Sequence, residues 1–165
     1  MQIAILSDTH SRQQTVKTVL GILKKRKIRR VLHCGDIEDA ETVRLFHKFT
    51  TDFVLGNTDW DKNSLRNAIK EIGATLHEPF GNLELGGCKI AWIHGDDKRL
   101  LHDLEASAHF DFLFYGHTHE AEQHRTGQTL VVNPGALHRS RAKSFAILDL
   151  AARHLETVPI NQPAD

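Results

Sequence analysis

Ile3-Ala4-Ile5-Leu6-Ser7-Asp8-Thr9-His10 sets the reading of the whole chain. An unbroken apolar run this short suits a strand buried on both faces. A carboxylate and an imidazole follow it at once. The arrangement returns at Val31-Leu32-His33-Cys34-Gly35-Asp36, Phe53-Val54-Leu55-Gly56-Asn57, Ile90-Ala91-Trp92-Ile93-His94 and Phe112-Leu113-Phe114-Tyr115-Gly116-His117-Thr118-His119. In a sheet of parallel strands these loops would meet at the C-terminal edge, where α/β folds bind ligands. The side chains that would converge there are Asp8, His10, Asp36, Asn57, His94, His117 and His119, enough to hold two metal ions.

The chain has 165 residues, a size typical of one domain, read as residues 1–165 with a frayed tail after about 158. Lys plus Arg and Asp plus Glu both number 21, so an extended nucleic-acid surface is not expected. Two cysteines, Cys34 and Cys88, make no disulfide framework. The N-terminus runs straight into a strand with no basic leader, and no apolar stretch approaches the ~18 residues a membrane span needs. The expected location is the cytoplasm.

The first half alternates strand and helix. Strands are predicted at 2–7, about 30–35 and ending at Gly56, and helices after Ser11, at about 39–48 and at 61–73. Ser11 and Gln14 fit a capping box. Val16, Val19, Leu20 and Leu23 recur at helical spacing. Val43, Phe46 and His47 are candidates for the buried face of the second helix. The second half is richer in strands, at about 81–86, 88–93, 111–116, 120–126, 128–133, 144–150 and 153–158. One helix, roughly 97–107, interrupts them with Asp96 or Asp97 as N-cap. Gly86-Gly87 and Gly127 mark hairpins. About ten strands suit two sheets better than one, layered as helices, sheet, sheet, helices.

The ligand set is all nitrogen and oxygen, which suits Mn, Fe, Co, Ni or Zn over a soft metal. Asp8-x-His10 and His117-x-His119 would place both side chains on one side of an extended backbone. Asp36 has two oxygens and can bridge two cations. Each element alone reads as a turn, a cap or a surface polar group. Five strand ends carrying such residues in one chain favour a metal centre.

In order, Asp8-x-His10, Gly35-Asp36, Gly56-Asn57-x-Asp59, His94-Gly95 and Gly116-His117-x-His119 resemble the calcineurin-like metallophosphoesterase superfamily, over nearly the whole chain. The small size and Asn133-Pro134-Gly135 resemble its compact prokaryotic phosphodiesterase branch. The resemblance implies an α/β (α+β) fold, a four-layer αββα sandwich of two mixed β-sheets flanked by helices. It implies one metal on Asp8, His10, Asp36 and His119, and another on Asp36, Asn57, His94 and His117. The third motif departs from the superfamily's Gly-Asn-His-Asp, with Thr58 in place of its His.

The function expected from this is a metal-dependent phosphodiesterase using in-line attack by a metal-bound hydroxide. Asp36, Asn57 and His94 are its candidate catalytic residues, and Arg12, Asn57 and Thr58 its candidate substrate-binding residues. Its cofactors would be two divalent ions, manganese first, with Ni, Co, Fe, Zn or Mg as alternatives. Its partner would be a small phosphate ester, with no membrane and no clear nucleic-acid surface; self-association is implied by resemblance alone. His33, His138 or metal-bound water are the candidate general acids, His138 otherwise being read as a surface residue after a glycine-containing turn, and Trp60 is read as packing or as a stacking surface. A non-catalytic scaffold, like the retromer subunit of the same fold, is the alternative from another class. A phosphomonoesterase or cyclic-nucleotide phosphodiesterase is the alternative in substrate.

Overall fold

β1 (Gln2–Leu6) lies at the centre of the first sheet. In this computed structural model, which describes residues 1–160, Ile3 and Ile5 face a second sheet while Ala4 and Leu6 face helices. The pleat sends alternate side chains to opposite faces, so a strand covered on both sides must be apolar at every position. The remaining elements are α1 (Gln13–Lys25), β2 (Arg30–His33), α2 (Ala40–Arg44), β3 (Thr50–Phe53), α3 (Lys62–Glu71), β4 (Thr75–Leu76), β5 (Gly81–Leu85) and β6 (Cys88–Trp92). They continue with α4 (Lys98–Ala106), β7 (Phe112–Phe114), β8 (Glu122–Thr126), β9 (Thr129–Asn133), β10 (Ser144–Asp149) and β11 (His154–Pro159).

The first sheet has the order β11-β10-β1-β2-β3-β4 and the second β5-β6-β7-β9-β8. β1 to β4 pair in parallel, and so do β6, β7 and β9. β10, β11, β5 and β8 are antiparallel to their neighbours, so both sheets are mixed. Three apolar layers separate four structural ones. Val16, Val19, Leu20 and Leu23 of α1, with Leu65, Ala68 and Ile69 of α3, cover the first sheet. Ile3, Ile5, Leu32, Ile90, Trp92 and Phe114 fill the space between the sheets. Ala91, Leu113, Tyr115 and Val131 pack under Leu104 of α4. The molecule is the expected αββα sandwich.

Several local expectations are corrected. The capping box does not form: Arg12 is the N-cap of α1 and no side chain caps it. Ser11 sits at φ +58° and donates to Glu38 instead. The helix expected over 39–48 stops at Arg44, and His47 is exposed while Val43 and Phe46 are buried. The third strand ends at Phe53, so Val54 to Gly56 form part of the site loop. β4, two residues long, carries no periodic signal and went unpredicted. Of the tail, β11 runs to Pro159 and the Ile160 N–H donates to Lys143 O at 2.8 Å, while residues 161–165 lie outside the described residues.

Candidate metal centre

The loops after β1, β2, β3, β6 and β7 leave their strands at the same edge of the sandwich. Backbone bonds join them to one another: Asp8 N–H donates to Gly35 O at 3.1 Å, His10 N–H to Asp36 O at 3.0 Å, and Gly116 N–H to His94 O at 2.8 Å. Asp8 (φ +53°), His10 (+41°), Asp36 (+57°), His117 (+71°) and His119 (+62°) all occupy the left-handed region. That conformation is unusual for residues with a Cβ and clusters at functional sites. It also corrects the geometry expected for the two-residue spacings, whose backbone is not extended. Asp8 and His10 still meet, whereas His117 and His119 part to opposite halves of the site.

In the first half, Asp8, His10, Asp36 and His119 bring one ligand atom each to within 4.8 Å of one another. His10 Nε2 lies 3.2 Å from His119 Nε2, 3.8 Å from Asp8 Oδ1 and 3.7 Å from Asp36 Oδ2. Asp8 Oδ1 is buried 3.1 Å from His119 Nε2, without a well-directed hydrogen bond from any described residue. Two imidazole nitrogens facing each other across two carboxylates present more lone pairs than protons. A cation is what this donor set fits.

The second half is built around Asn57 Oδ1, which lies 3.0 Å from both His94 Nε2 and His117 Nδ1. His94 Nε2 is 3.3 Å from Asp36 Oδ1. The two oxygens of Asp36 therefore face different halves, Oδ2 toward His10 and Oδ1 toward His94. All seven candidate ligands are brought together.

Supporting contacts fix these side chains. His94 Nδ1 donates to Cys34 O at 2.8 Å, which turns Nε2 toward the site. His10 Nδ1 donates to Glu38 Oε1 at 2.7 Å in the same way. Asp59 is buried and accepts four backbone N–H groups: Ile37 and Glu38 on Oδ1, each at 2.7 Å, and Gly56 at 2.7 Å and Asp36 at 3.1 Å on Oδ2. It ties the loop carrying Asp36 to the loop carrying Asn57. Asn133 donates to Gly116 O at 3.0 Å and Thr118 Oγ1 at 2.9 Å, bracing the loop of His117 and His119. Glu38 and Asn133 were not predicted as site residues, and Asp59 only as part of a motif. For Asp59 the signal was its place two residues after Asn57; for Glu38 there was none.

Two glycines are required by close approach. A Cβ on Gly56 would collide with Asp36 Oδ1, and one on Gly116 with Ser7 Oγ.

The charges interlock. Burial disfavours the His94 imidazolium, but the hydrogen bond and charge of Asp36 outweigh it and push its pKa up to about 9. Burial likewise opposes the Asp36 carboxylate, and His94 with the Thr58 N–H holds its pKa far below the usual range. His119 is raised by the Asp8 carboxylate beside it. Burial raises Asp59 against the amides of Gly56, Glu38 and Ile37, which hold it down.

The other predicted residues are placed as follows. Thr58 donates its N–H to Asp36 Oδ1 at 2.9 Å, and its hydroxyl is buried. Arg12 is exposed and its Nε donates to the His138 ring, 3.2 Å from Nδ1. His138, expected at the surface, is half-buried with its ring 6.0 Å from that of His10. Burial and Arg12 lower its pKa to about 4. His33 is fully buried, 3.3 Å from Thr9 Oγ1, accepts the Gly35 N–H at 3.1 Å, and is lowered by burial to about 3. Trp60 is 84% exposed, so it does not pack into the core.

Comparison with known proteins agrees with this architecture. Phosphodiesterase MJ0936 of Methanocaldococcus jannaschii is 28% identical over 138 residues, which cover 82% of this chain and 83% of that protein. The solved structure of an archaeal phosphodiesterase superposes with a TM-score of 0.89 at 25% identity, covering 97% of this chain and all (100%) of that one. Zinc-bound Vps29 from Entamoeba histolytica shares the fold, with a TM-score of 0.67 at 19% identity over 97% of this chain and 98% of that one. The model of the calcineurin-like phosphoesterase superfamily domain matches residues 1–153. The chain belongs to the calcineurin-like phosphoesterase superfamily.

Proposed function

We propose that this chain is a phosphodiesterase dependent on two divalent metal ions, with residues 1–165 acting as one catalytic domain. The observation that carries the reading is the convergence of Asp8, His10, Asp36 and His119 on one point, with Asn57, His94 and His117 grouped on the far side of Asp36. Asp8, His10, Asp36 and His119 would hold one ion and Asp36, Asn57, His94 and His117 the other. Bound there, the ions would neutralise phosphoryl oxygens and lower the pKa of a water molecule.

The chain's own groups do the rest. Asp36 keeps the two halves in register because each of its oxygens faces one of them. His94 keeps its Nδ1 proton on Cys34 O, which leaves Nε2 to ligate. Asn57 is exposed at the mouth of the site, where its side chain can also touch the phosphoryl group. Arg12, anchored on His138, would offer a cation to phosphoryl oxygens.

Leaving-group protonation is the weak step. Thr58 has no proton to give at neutral pH. His33 and His138, lowered to about 3 and about 4, are both neutral there. The proton would come from solvent, which favours esters whose alcohols leave readily. Activated leaving groups come first for that reason, and diesters come before phosphomonoesters because the chain is similar to archaeal phosphodiesterases.

The donors are nitrogen and oxygen only, which suits manganese, taken first here, and equally Fe, Co, Ni or Zn. Two buried free thiols, Cys34 and Cys88, suit the reducing cytoplasm. Among the described residues no helix is long and apolar enough to cross a membrane. The test is hydrolysis of bis-p-nitrophenyl phosphate and p-nitrophenyl phosphate by metal-stripped protein, with Mn, Ni, Co, Zn or Mg restored singly. Metal-dependent cleavage of the diester over the monoester is expected. Metal binding without cleavage would favour a binding protein instead.

A further inference from the structure

Trp60 is the most exposed large apolar side chain among the described residues, at 84%. A single exposed Leu needs no explanation, but an indole held in water at the edge of a metal centre does. Its mount is rigid on both sides. Asp59 before it is fixed by four backbone amides. Asp61 after it caps α3, accepting the Ser64 N–H at 3.0 Å. The Trp60 N–H itself donates to Thr58 O at 3.0 Å. The indole is thus presented by a pre-formed backbone and not by a mobile loop.

Trp60 forms one wall of a groove of about 610 Å³. Asn57 and His94 line the same groove, and so do Pro79 and Leu100. A phosphate ester seated at the centre must direct one of its arms away from the ligand cluster, and this groove includes two of the candidate ligands. Asp96, Asp97 and Glu78 also line it; Glu78 is paired with Arg66, and the carboxylates outnumber the one lining lysine, Lys62. Those carboxylates oppose a second anionic group, so an uncharged arm fits better than a polyphosphate or a continuing nucleic-acid strand.

We propose that this groove is a subsite for one ester arm of the substrate, with Trp60 stacking on a flat, uncharged aromatic group there, an aryl ring or a nucleobase. This rests on the phosphodiesterase reading and adds a specificity residue to it. Stacking on an exposed aromatic face is enough to shift affinity by about tenfold.

The chain's two tryptophans make the test direct, because Trp92 is fully buried and acrylamide quenching therefore reports Trp60. Zinc-loaded protein would be titrated by calorimetry with methylphenylphosphinate and with dimethylphosphinate, two singly charged diester mimics that cannot be hydrolysed. The phenyl compound is expected to bind about tenfold more tightly and to shield Trp60 from acrylamide. Trp60→Ala should erase the preference while leaving dimethylphosphinate binding unchanged, and Trp60→Phe should keep most of it. Equal affinities for the two phosphinates, or a preference that survives Trp60→Ala, would overturn the subsite while leaving the metal centre standing. Failure of both to bind would remove the phosphodiesterase reading, and the subsite with it.

Discussion

Asp59 Oδ2 accepts the backbone N–H of Asp36 at 3.1 Å, a contact between residues 23 positions apart in the chain. Through it a buried carboxylate that faces no ligand atom sets the position of the one carboxylate shared by both halves of the site. Three further amides converge on the same group. Asp59→Asn replaces one acceptor oxygen with a donor that faces N–H groups. Manganese affinity should fall by about 10–100-fold, the range for residues that orient ligands. Asp59→Ala should also lower stability by about 3 kcal/mol, since buried amides are left unpaired. Manganese titration and denaturant unfolding of both variants check this.

Gly56 and Gly21 should respond oppositely to alanine. At Gly56 a Cβ meets Asp36 Oδ1, so Gly56→Ala should displace that carboxylate and abolish metal-dependent turnover. Gly21 lies within α1 and nothing lies within 4 Å of a Cβ there, so Gly21→Ala should stabilise the fold. The gain should be about 0.5–1 kcal/mol with unchanged activity. Urea unfolding and diester hydrolysis of the two variants, compared side by side, separate site from scaffold.

The metal-free protein should lose stability as pH rises. His94 has an ordinary pKa of 6.5 and a folded value of about 9, so across that window the folded chain keeps a proton the unfolded chain has released. The contribution is complete below the lower value and lost through the upper one, with a slope of at most about 1.4 kcal/mol per pH unit. His119, raised by Asp8, acts in the same direction. Melting temperature should fall across the window in wild type and flatten in His94→Gln. Apparent manganese affinity should climb over the same range, because the metal and the proton compete for His94.

Turnover should depend steeply on the leaving group. With Thr58 where the superfamily commonly has a histidine, His33 and His138 both neutral at pH 7, and His94 and His119 given over to the metal, none of the candidate general acids among the described residues stands ready to protonate the departing oxygen. Methyl p-nitrophenyl phosphate should be cleaved at least ~100-fold faster than methyl phenyl phosphate, the scale of a missing general acid. Thr58→His should compress that ratio. A rate that ignores leaving-group acidity would place a general acid in the site after all.

The layering was legible because of residues such as Ile3, Ile5, Ile90 and Phe114, whose unbroken apolar strands demand cover on both faces. The ligand set was legible because each member lies in a short stretch that follows an apolar run. What failed to show was whatever depends on contact between distant loops. Ser11 satisfies a capping pattern, yet the left-handed turn at the site draws its hydroxyl to Glu38. His117 and His119 look like one pair, but their backbone turns send one to Asn57 and the other to Asp8. Glu38 supports His10 from 28 positions away, and no local pattern marks that. His138 reads as a surface residue until the chain folds it against His10 and Arg12.

Two ions sharing Asp36 are the centre of the proposed chemistry. Manganese would be titrated into metal-stripped protein, with bound metal and hydrolysis of bis-p-nitrophenyl phosphate followed in the same samples. The predicted result is two ions bound per chain, with activity appearing as the second binds, and neither seen in Asp36→Ala that remains folded. Full activity without metal, or with a single ion per chain, would contradict it.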